Sequence, residues 1–135
     1  MKTLNERSIK NLNEVHPDLI RVMQEAIKDT PIEFTITEGV RTTARQRQLY
    51  AQGRTEPGKI LTSADGITLF SNHQKKTDGY GHAVDLYANP INVNDTKNIK
   101  IVADHILDTA KRLGVKMEWG GNWKMRDYPH FELKR

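Results

Sequence analysis

Between Asp95 and Gly114 the apolar residues Ile99, Val102, Ile106, Ala110 and Leu113 recur at spacings of three, four, four and three. That is the period of one helix face, so the segment predicts an amphipathic helix with a single apolar stripe. Asp95 can cap its start and Gly114 can close it. A stripe on one face has to be covered by another layer. The available partners are short segments with strand character: "IEFTIT", where Ile32, Phe34 and Ile36 alternate with polar neighbours, then "HAVDLY", "VKMEW" and "HFEL". Upstream, apolar residues share one face from about Ser8 to Lys28; Pro17 starts a second helix within that region and Pro31 stops it. After a turn at Gly39, "TTARQRQLYAQG" reads as a short helix capped by Thr42 or Thr43 and ended by Gly53. No linker, repeat or low-complexity tract interrupts the chain. The order of elements predicts an α+β fold: one small domain over residues 1–135, with an antiparallel sheet packed by helices.

Composition narrows the chemistry. The absence of cysteine excludes disulfides, thiolate zinc sites and cysteine nucleophiles, so any metal must rest on histidine and carboxylate ligands. No apolar run reaches the ~18 residues that would suggest a membrane span, and "MKTLNERSIKNLNEV" lacks the apolar core of a secretory signal. The expectation is synthesis in a cytoplasm, without a secretion signal and without membrane insertion. The 21 basic and 17 acidic residues leave a net charge of +4, which suits an anionic partner such as a cell wall. Arg41, Arg45, Arg47 and Arg54 lie near a helix and by charge alone read as a solvated face. No nucleic-acid-binding motif is present, and no nucleic-acid partner is expected.

From Arg54 to Gly81 periodicity lapses, and a loop of this length in a small domain commonly carries function. It runs into "SNHQKKTDGYGHAVDLY", residues 71 to 87. In an extended "HAVDLY", His82, Val84 and Leu86 share one face and Ala83, Asp85 and Tyr87 the other. His82 and Asp85 therefore cannot bind one ion together. Asp85 needs a partner to sit in an apolar strand, and two are open: an Arg or Lys, or a metal. In "RDYPHFEL", Asp127 and His130 lie three apart where a strand begins, and Glu132 shares the strand face of His130 as a competing acid. His16 and His105 fall on helices and read as structural or exposed. A catalytic zinc takes three protein ligands and leaves a fourth position for water. A histidine and an aspartate between 73 and 85, with His130 and a neighbouring acid, meet that need, although the H-E-x-x-H helix is absent.

These stretches carry a family resemblance. "SNH…GHAVD" followed by "EWGGNW…DYPHFEL" resembles the zinc peptidases of bacterial cell walls, which include D-alanyl-D-alanine carboxypeptidases and phage or sporulation-type L-alanyl-D-glutamate endopeptidases. Their shared signature is S-x-H-x-x-G-x-A-x-D, then an acid three residues before a final histidine. "GVRTTARQRQLYAQGRTEPGKILTSA" also resembles the segment before the signature in the endopeptidase branch. The resemblance spans about Phe34 to Leu133. It implies zinc held by His73, Asp85 and His130 at the sheet's edge, Asp127 as the catalytic acid that activates water, and Arg41 facing the substrate carbonyl. It places Ser71 beside the ligands and Trp119 and Trp123 as walls of the cleft. Seven residues separate His73 from Gly81 where the signature has two. They can serve as a longer loop over the cleft, and parity favours His73 over His82 as the ligand.

The expected function is a zinc endopeptidase that cuts the peptidoglycan stem peptide at L-alanyl-D-glutamate. The expected form is a monomeric, single-domain endolysin that waits in the host cytoplasm and acts once the membrane is opened. A D-alanyl-D-alanine carboxypeptidase, a basic wall-binding or nucleic-acid-binding module and a metal-free glycosidase with two carboxylates stand as alternatives.

Overall fold

A computed structural model describes residues 2–134. The elements run α1 (Glu6–Asn11), α2 (Pro17–Lys28), β1 (Phe34–Glu38), α3 (Thr43–Ala51), β2 (Ala83–Ala88), α4 (Thr96–Leu113), β3 (Met117–Trp119), a 3₁₀ turn (Gly120–Asn122) and β4 (His130–Leu133). The fold is α+β, and its four strands form one sheet in the order β1-β2-β4-β3 with every neighbouring pair antiparallel. The predicted caps are in place. Asp95 accepts the backbone N–H of Asn98 at 3.0 Å, and Gly114 adopts the left-handed φ of 74° that ends α4. Thr42 caps α3 by accepting from the backbone N–H of Arg45.

The stripe of α4 is buried against α2 and the sheet. Ile99, Val102 and Ile106 join Leu19, Val22 and Met23 of α2, and both meet Phe34, Ile36, Val84, Leu86 and Phe131 from the strands. Val84 and Leu86 thus face the core, and Asp85 emerges on the opposite face of β2, as strand parity requires. Trp119 belongs to this core. It stacks on Phe131, and its indole N–H donates to the carbonyl of Tyr128 at 2.6 Å.

The outer edge of β1 would present unpaired backbone groups, a pairing hazard. Helix α1 covers it with side chains. Ser8 Oγ accepts the Ile36 N–H at 2.9 Å, and Asn11 Nδ2 donates to the Ile36 carbonyl at 2.8 Å. The helix lies so close that a Cβ on Gly39 would fall 1.7 Å from the Asn11 carbonyl oxygen, which explains glycine there. Among the described residues no helix is long and apolar enough to cross a membrane.

Ser8 is fully buried, so its hydroxyl is the partner that Ile36 N–H has in place of water. Ser8→Ala leaves that N–H unpaired at a cost of about 1–3 kcal/mol. Chemical denaturation should show a loss of that size, while the circular dichroism of the folded protein stays unchanged.

Candidate active site

The two inner strands create the site. The register of β2 against β4 sets Asp85 directly opposite His130, the first residue of β4. His73 reaches the same point from the long loop. Its Nε2 lies 3.2 Å from Asp85 Oδ1 and 3.2 Å from His130 Nδ1, and His130 Nδ1 lies 3.4 Å from Asp85 Oδ1. Both rings are buried, and the three side chains satisfy the spacing for a shared metal ion.

The outward-facing ring nitrogens decide what the inward ones can do. His73 Nδ1 sits 2.9 Å from the Gly39 carbonyl, which only accepts, so Nδ1 carries the proton and Nε2 a lone pair. His130 Nε2 sits 2.7 Å from Glu132 Oε1 and donates to it, which leaves a lone pair on Nδ1. Two imidazole lone pairs and a carboxylate oxygen thus converge with no donor among them. Such an arrangement needs a cation, and the donor set of two histidines and one aspartate fits zinc. Without a metal, a proton has to serve. Burial opposes charging His130, but hydrogen bonds to Asp85 and Glu132 prevail and push its pKa up to about 9. Burial likewise pushes the Asp85 carboxyl up, and the two histidines more than reverse it, so Asp85 stays ionised.

The remaining acids divide by environment. Asp127 is held at the turn after β3, where its N–H donates to the Gly120 carbonyl at 2.9 Å. A Cβ on residue 120 would lie 2.3 Å from the Asp127 carbonyl oxygen, so glycine lets the turn pack onto Asp127. Burial, then the negative charge of Asp85, raises the Asp127 pKa, against the pull of His130, His73 and Arg41. Glu132 goes the other way. Burial raises it, but hydrogen bonds from His130 and from Asn72 Nδ2 (2.9 Å) leave it below the ordinary value. A raised carboxyl suits proton uptake near neutrality, and a tethered, depressed one does not. Asp127 is therefore the better candidate for a general base, and Glu132 is bonded to the outer nitrogen of His130.

Both residues line a cleft of about 430 Å³ with the His73–Asp85–His130 cluster and Arg41. Arg41 follows β1. Its N–H donates to the His73 carbonyl at 2.8 Å, and its guanidinium is gripped by Glu38 and by Gln46 Oε1 at 2.8 Å. Gln46 is fully buried and also donates to the Ala64 carbonyl at 2.7 Å, so it ties Arg41 to the loop wall. Ser71 Oγ accepts the His73 N–H at 3.2 Å and steadies the ligand's backbone. The exposed side chains of Leu61, Leu69 and Phe70 form an apolar wall of the cleft. Asp65 fixes that wall by accepting the backbone N–H groups of Ile67, Thr68 and Leu69.

Two sequence-based expectations are placed differently, those for Trp119 and for the extra residues after His73. Trp119 lies beneath the site in the core and not in the cleft lining. Trp123 rests against the His130 ring, with centroids 5.2 Å apart. The extra residues after His73 do not cover the cleft. They turn toward the α1–α2 junction, where Lys75 pairs with Glu14 and Gly81 exchanges backbone hydrogen bonds with Glu14 and His16. His82 is turned to Asp78, away from Asp85. Sequence reasoning missed Gln46, a glutamine in an evenly polar helix with no pattern to single it out. It also missed Asn72 and the orienting contact of Glu132, for which the strand-face partnership with His130 was the available signal.

With this geometry in hand, the family is plain. The whole chain, residues 1–135, matches the model of the phage L-alanyl-D-glutamate peptidase family, and the protein belongs to that family. It is 33% identical over 134 residues to the peptidoglycan L-alanyl-D-glutamate endopeptidase CwlK of Bacillus subtilis (strain 168), covering 90% of this chain and 74% of that one. It is 29% identical over 133 residues to the L-alanyl-D-glutamate peptidase of Escherichia phage T5, covering 96% and 88%. Its fold matches the crystal structure of the Serratia marcescens L-Ala D-Glu endopeptidase ChiX with a TM-score of 0.77 and 36% identity, over 98% of this chain and 90% of that one.

The role of Glu132 can be measured apart from hydrolysis. Glu132→Ala removes the acceptor that fixes the His130 tautomer, and losses of this kind cost about 10–100-fold in metal affinity. Zinc titration by calorimetry should show a drop of that order. Unchanged affinity together with lost hydrolysis would instead make Glu132 the general base.

Proposed function

We propose that this protein is a zinc endopeptidase that hydrolyses the L-alanyl-D-glutamate bond of the peptidoglycan stem peptide. One observation carries the reading: the His73–Asp85–His130 acceptor cluster shares a cleft with Asp127 and Arg41, in a chain of this peptidase family. His73 Nε2, Asp85 and His130 Nδ1 would hold zinc, which would supply Lewis acidity and lower the pKa of a water to about 7. Asp127 accepts the proton of the attacking water on its carboxylate and returns it to the leaving amine. Arg41, steadied by Glu38 and Gln46, offers its remaining guanidinium N–H groups to the carbonyl oxygen as negative charge develops there. The apolar wall of Leu61, Leu69 and Phe70 receives the small alanyl side and keeps water from the reacting bond.

In this reading the chain acts as a monomeric single-domain endolysin, made in the host cytoplasm and admitted to the wall when the membrane is permeabilised. The net charge of +4 favours approach to an anionic wall. Its partner is the stem peptide; no nucleic acid is involved.

Digestion of purified peptidoglycan, followed by mass analysis of the products, tests the proposal. It expects new amino termini at D-glutamate and abolition by a chelator, with recovery on adding zinc. Release of terminal D-alanine would make the chain a carboxypeptidase, and new reducing ends would make it a glycosidase.

Two variants apportion the chemistry. Asp127→Ala should keep full zinc content and lose about 10²–10⁴-fold in kcat, the usual share of a positioned general base. Arg41→Lys keeps the charge but not the planar fork. Its kcat should fall about 10²-fold or more with zinc content and melting temperature nearly unchanged. An Arg41→Lys protein that melts early yet turns over normally when folded would confine Arg41 to the Glu38–Gln46 scaffold.

A further inference from the structure

A second group with the same donor composition lies outside the cleft, where segment 74–82 meets the start of α2. His16 is the residue before α2, Asp78 belongs to the extra residues after His73, and His82 precedes β2. Their candidate ligand atoms all fall within 4.8 Å of one another. Asp78 Oδ2 stands 2.7 Å from His82 Nε2 and 3.9 Å from His16 Nε2. The two imidazoles meet edge to face, with centroids 5.2 Å apart and planes at 77°. In the active-site cluster, His73 and His130 meet at 5.0 Å and 73°. The two ring pairs thus share a similar spacing and angle, and each has one aspartate within reach of both rings.

We propose that His16, Asp78 and His82 form a second site for a first-row divalent cation of the zinc type, which clips segment 74–82 to the α1–α2 junction. Backbone hydrogen bonds already fix the two rings. His16 N–H donates to the Gly81 carbonyl at 2.9 Å, Gly81 N–H donates to the Glu14 carbonyl at 3.1 Å, and Val15 bridges Gly81 in parallel. His82 is 5% exposed and the Tyr80 ring packs edge-on against His16, so one side of the group is closed to water. Asp78 sits on a tight turn in which Lys76 and Tyr80, and Gly79 and Lys76, are hydrogen-bonded. The Tyr80 N–H also donates to Asp78 Oδ1 at 3.0 Å, which leaves Oδ2 turned to the two imidazoles.

The donor set selects the ion. Two imidazoles and one carboxylate suit zinc and its neighbours, whereas calcium takes six to eight oxygens. His16 Nδ1 accepts the Asp18 N–H at 3.0 Å, so the metal-free ring carries its proton on Nε2. Binding at Nε2 moves that proton to Nδ1, so the bond from the Asp18 N–H is exchanged for one that Nδ1 donates. The Asp18 carboxylate, 3.9 Å away, is then in reach to receive a hydrogen bond, the carboxylate–histidine–metal arrangement that orients metal ligands elsewhere. The consequence for the fold is direct. Segment 74–82 joins His73 to β2, so an ion clipped there steadies the connection between two residues of the active-site cluster.

The test removes the first site. In a His73→Ala/His130→Ala background, metal-stripped protein is titrated with Zn²⁺ and with Co²⁺ as a spectroscopic probe. The expected result is uptake of about one equivalent per chain, a higher melting temperature with metal, and cobalt absorption bands of a low-coordinate nitrogen–oxygen site. Adding either Asp78→Asn or His82→Ala should abolish all three. Asp78→Asn changes a partly exposed side chain conservatively, so loss of binding in a variant with unchanged circular dichroism is not a folding failure. Should the background misfold, the wild type is compared with Asp78→Asn alone, which should lose a second equivalent of zinc and retain the first. No uptake in a folded background, uptake indifferent to Asp78→Asn and His82→Ala, or a wild type with no second equivalent overturns the site. None of these readouts depends on hydrolysis, so the proposed peptidase activity stands or falls separately.

Discussion

The pairing of Asp85 with His130 across the two inner strands is the constraint to which the rest of the molecule is fitted. It puts a carboxylate and an imidazole side by side in a sheet whose other face is a dry core. His73 adds a second lone pair at 3.2 Å. Three acceptors that close repel one another unless a cation lies between them. The surroundings make the conflict worse, and that is informative. Gly39 and Glu132 hold the outer ring nitrogens, so each neutral imidazole keeps a lone pair inward, and only a cation, a metal ion or an added proton, can reconcile the three. The same constraint reaches back to the first helix, since the Gly39 carbonyl is placed by the close approach of α1 to the end of β1.

Much of this was legible in the chain. The three-four-four-three stripe named α4 and its caps because Asp95 and Gly114 act locally, through one hydrogen bond and one left-handed φ. Strand parity separated Asp85 from His82, because alternation is a property of any extended segment. The Cα register between β2 and β4 could not be read, because it depends on tertiary pairing across an intervening helix and turn. The resemblance supplied that juxtaposition as an expectation. Trp119 shows the limit: an aromatic beside a glycine turn reads equally well as a cleft wall or a core residue, and its stacking on Phe131 decides it. The extra residues after His73 were misplaced for the same reason. Their anchors, Glu14 and His16, lie some sixty residues earlier and carry no local signal.

The cleft joins rigid and irregular parts in an unequal division of labour. Asp85 and His130 sit on strands, where backbone pairing fixes them. His73, Arg41 and Asp127 come from loops and need separate fastening. Each has it: the Gly39 carbonyl for His73, the Glu38–Gln46 grip for Arg41, the Gly120 turn for Asp127. Gln46 is the economical member. Its oxygen holds Arg41 and its nitrogen holds the Ala64 carbonyl, so one side chain ties the charged group to the loop that carries the apolar wall. A peptide entering between them meets a guanidinium and a wall with a set separation.

The choice between Asp127 and Glu132 illustrates how environment and not residue type assigns a role. Both are acids in one cleft, both are desolvated, and both lie close to His130. Burial raises each pKa, so burial cannot distinguish them. The difference is what each carboxylate touches. Glu132 accepts hydrogen bonds from His130 and Asn72, which hold it anionic and occupy its oxygens. Asp127 has the neighbouring charge of Asp85 to repel its own, and the cations that oppose this act at a distance. A group that must gain and lose a proton in each cycle is helped by a raised pKa, and of the two acids Asp127 is the one whose pKa is raised. Glu132 serves the site as a fixed charge, because a histidine whose outer nitrogen is held by an anion keeps the inner one turned to Asp85 and His73.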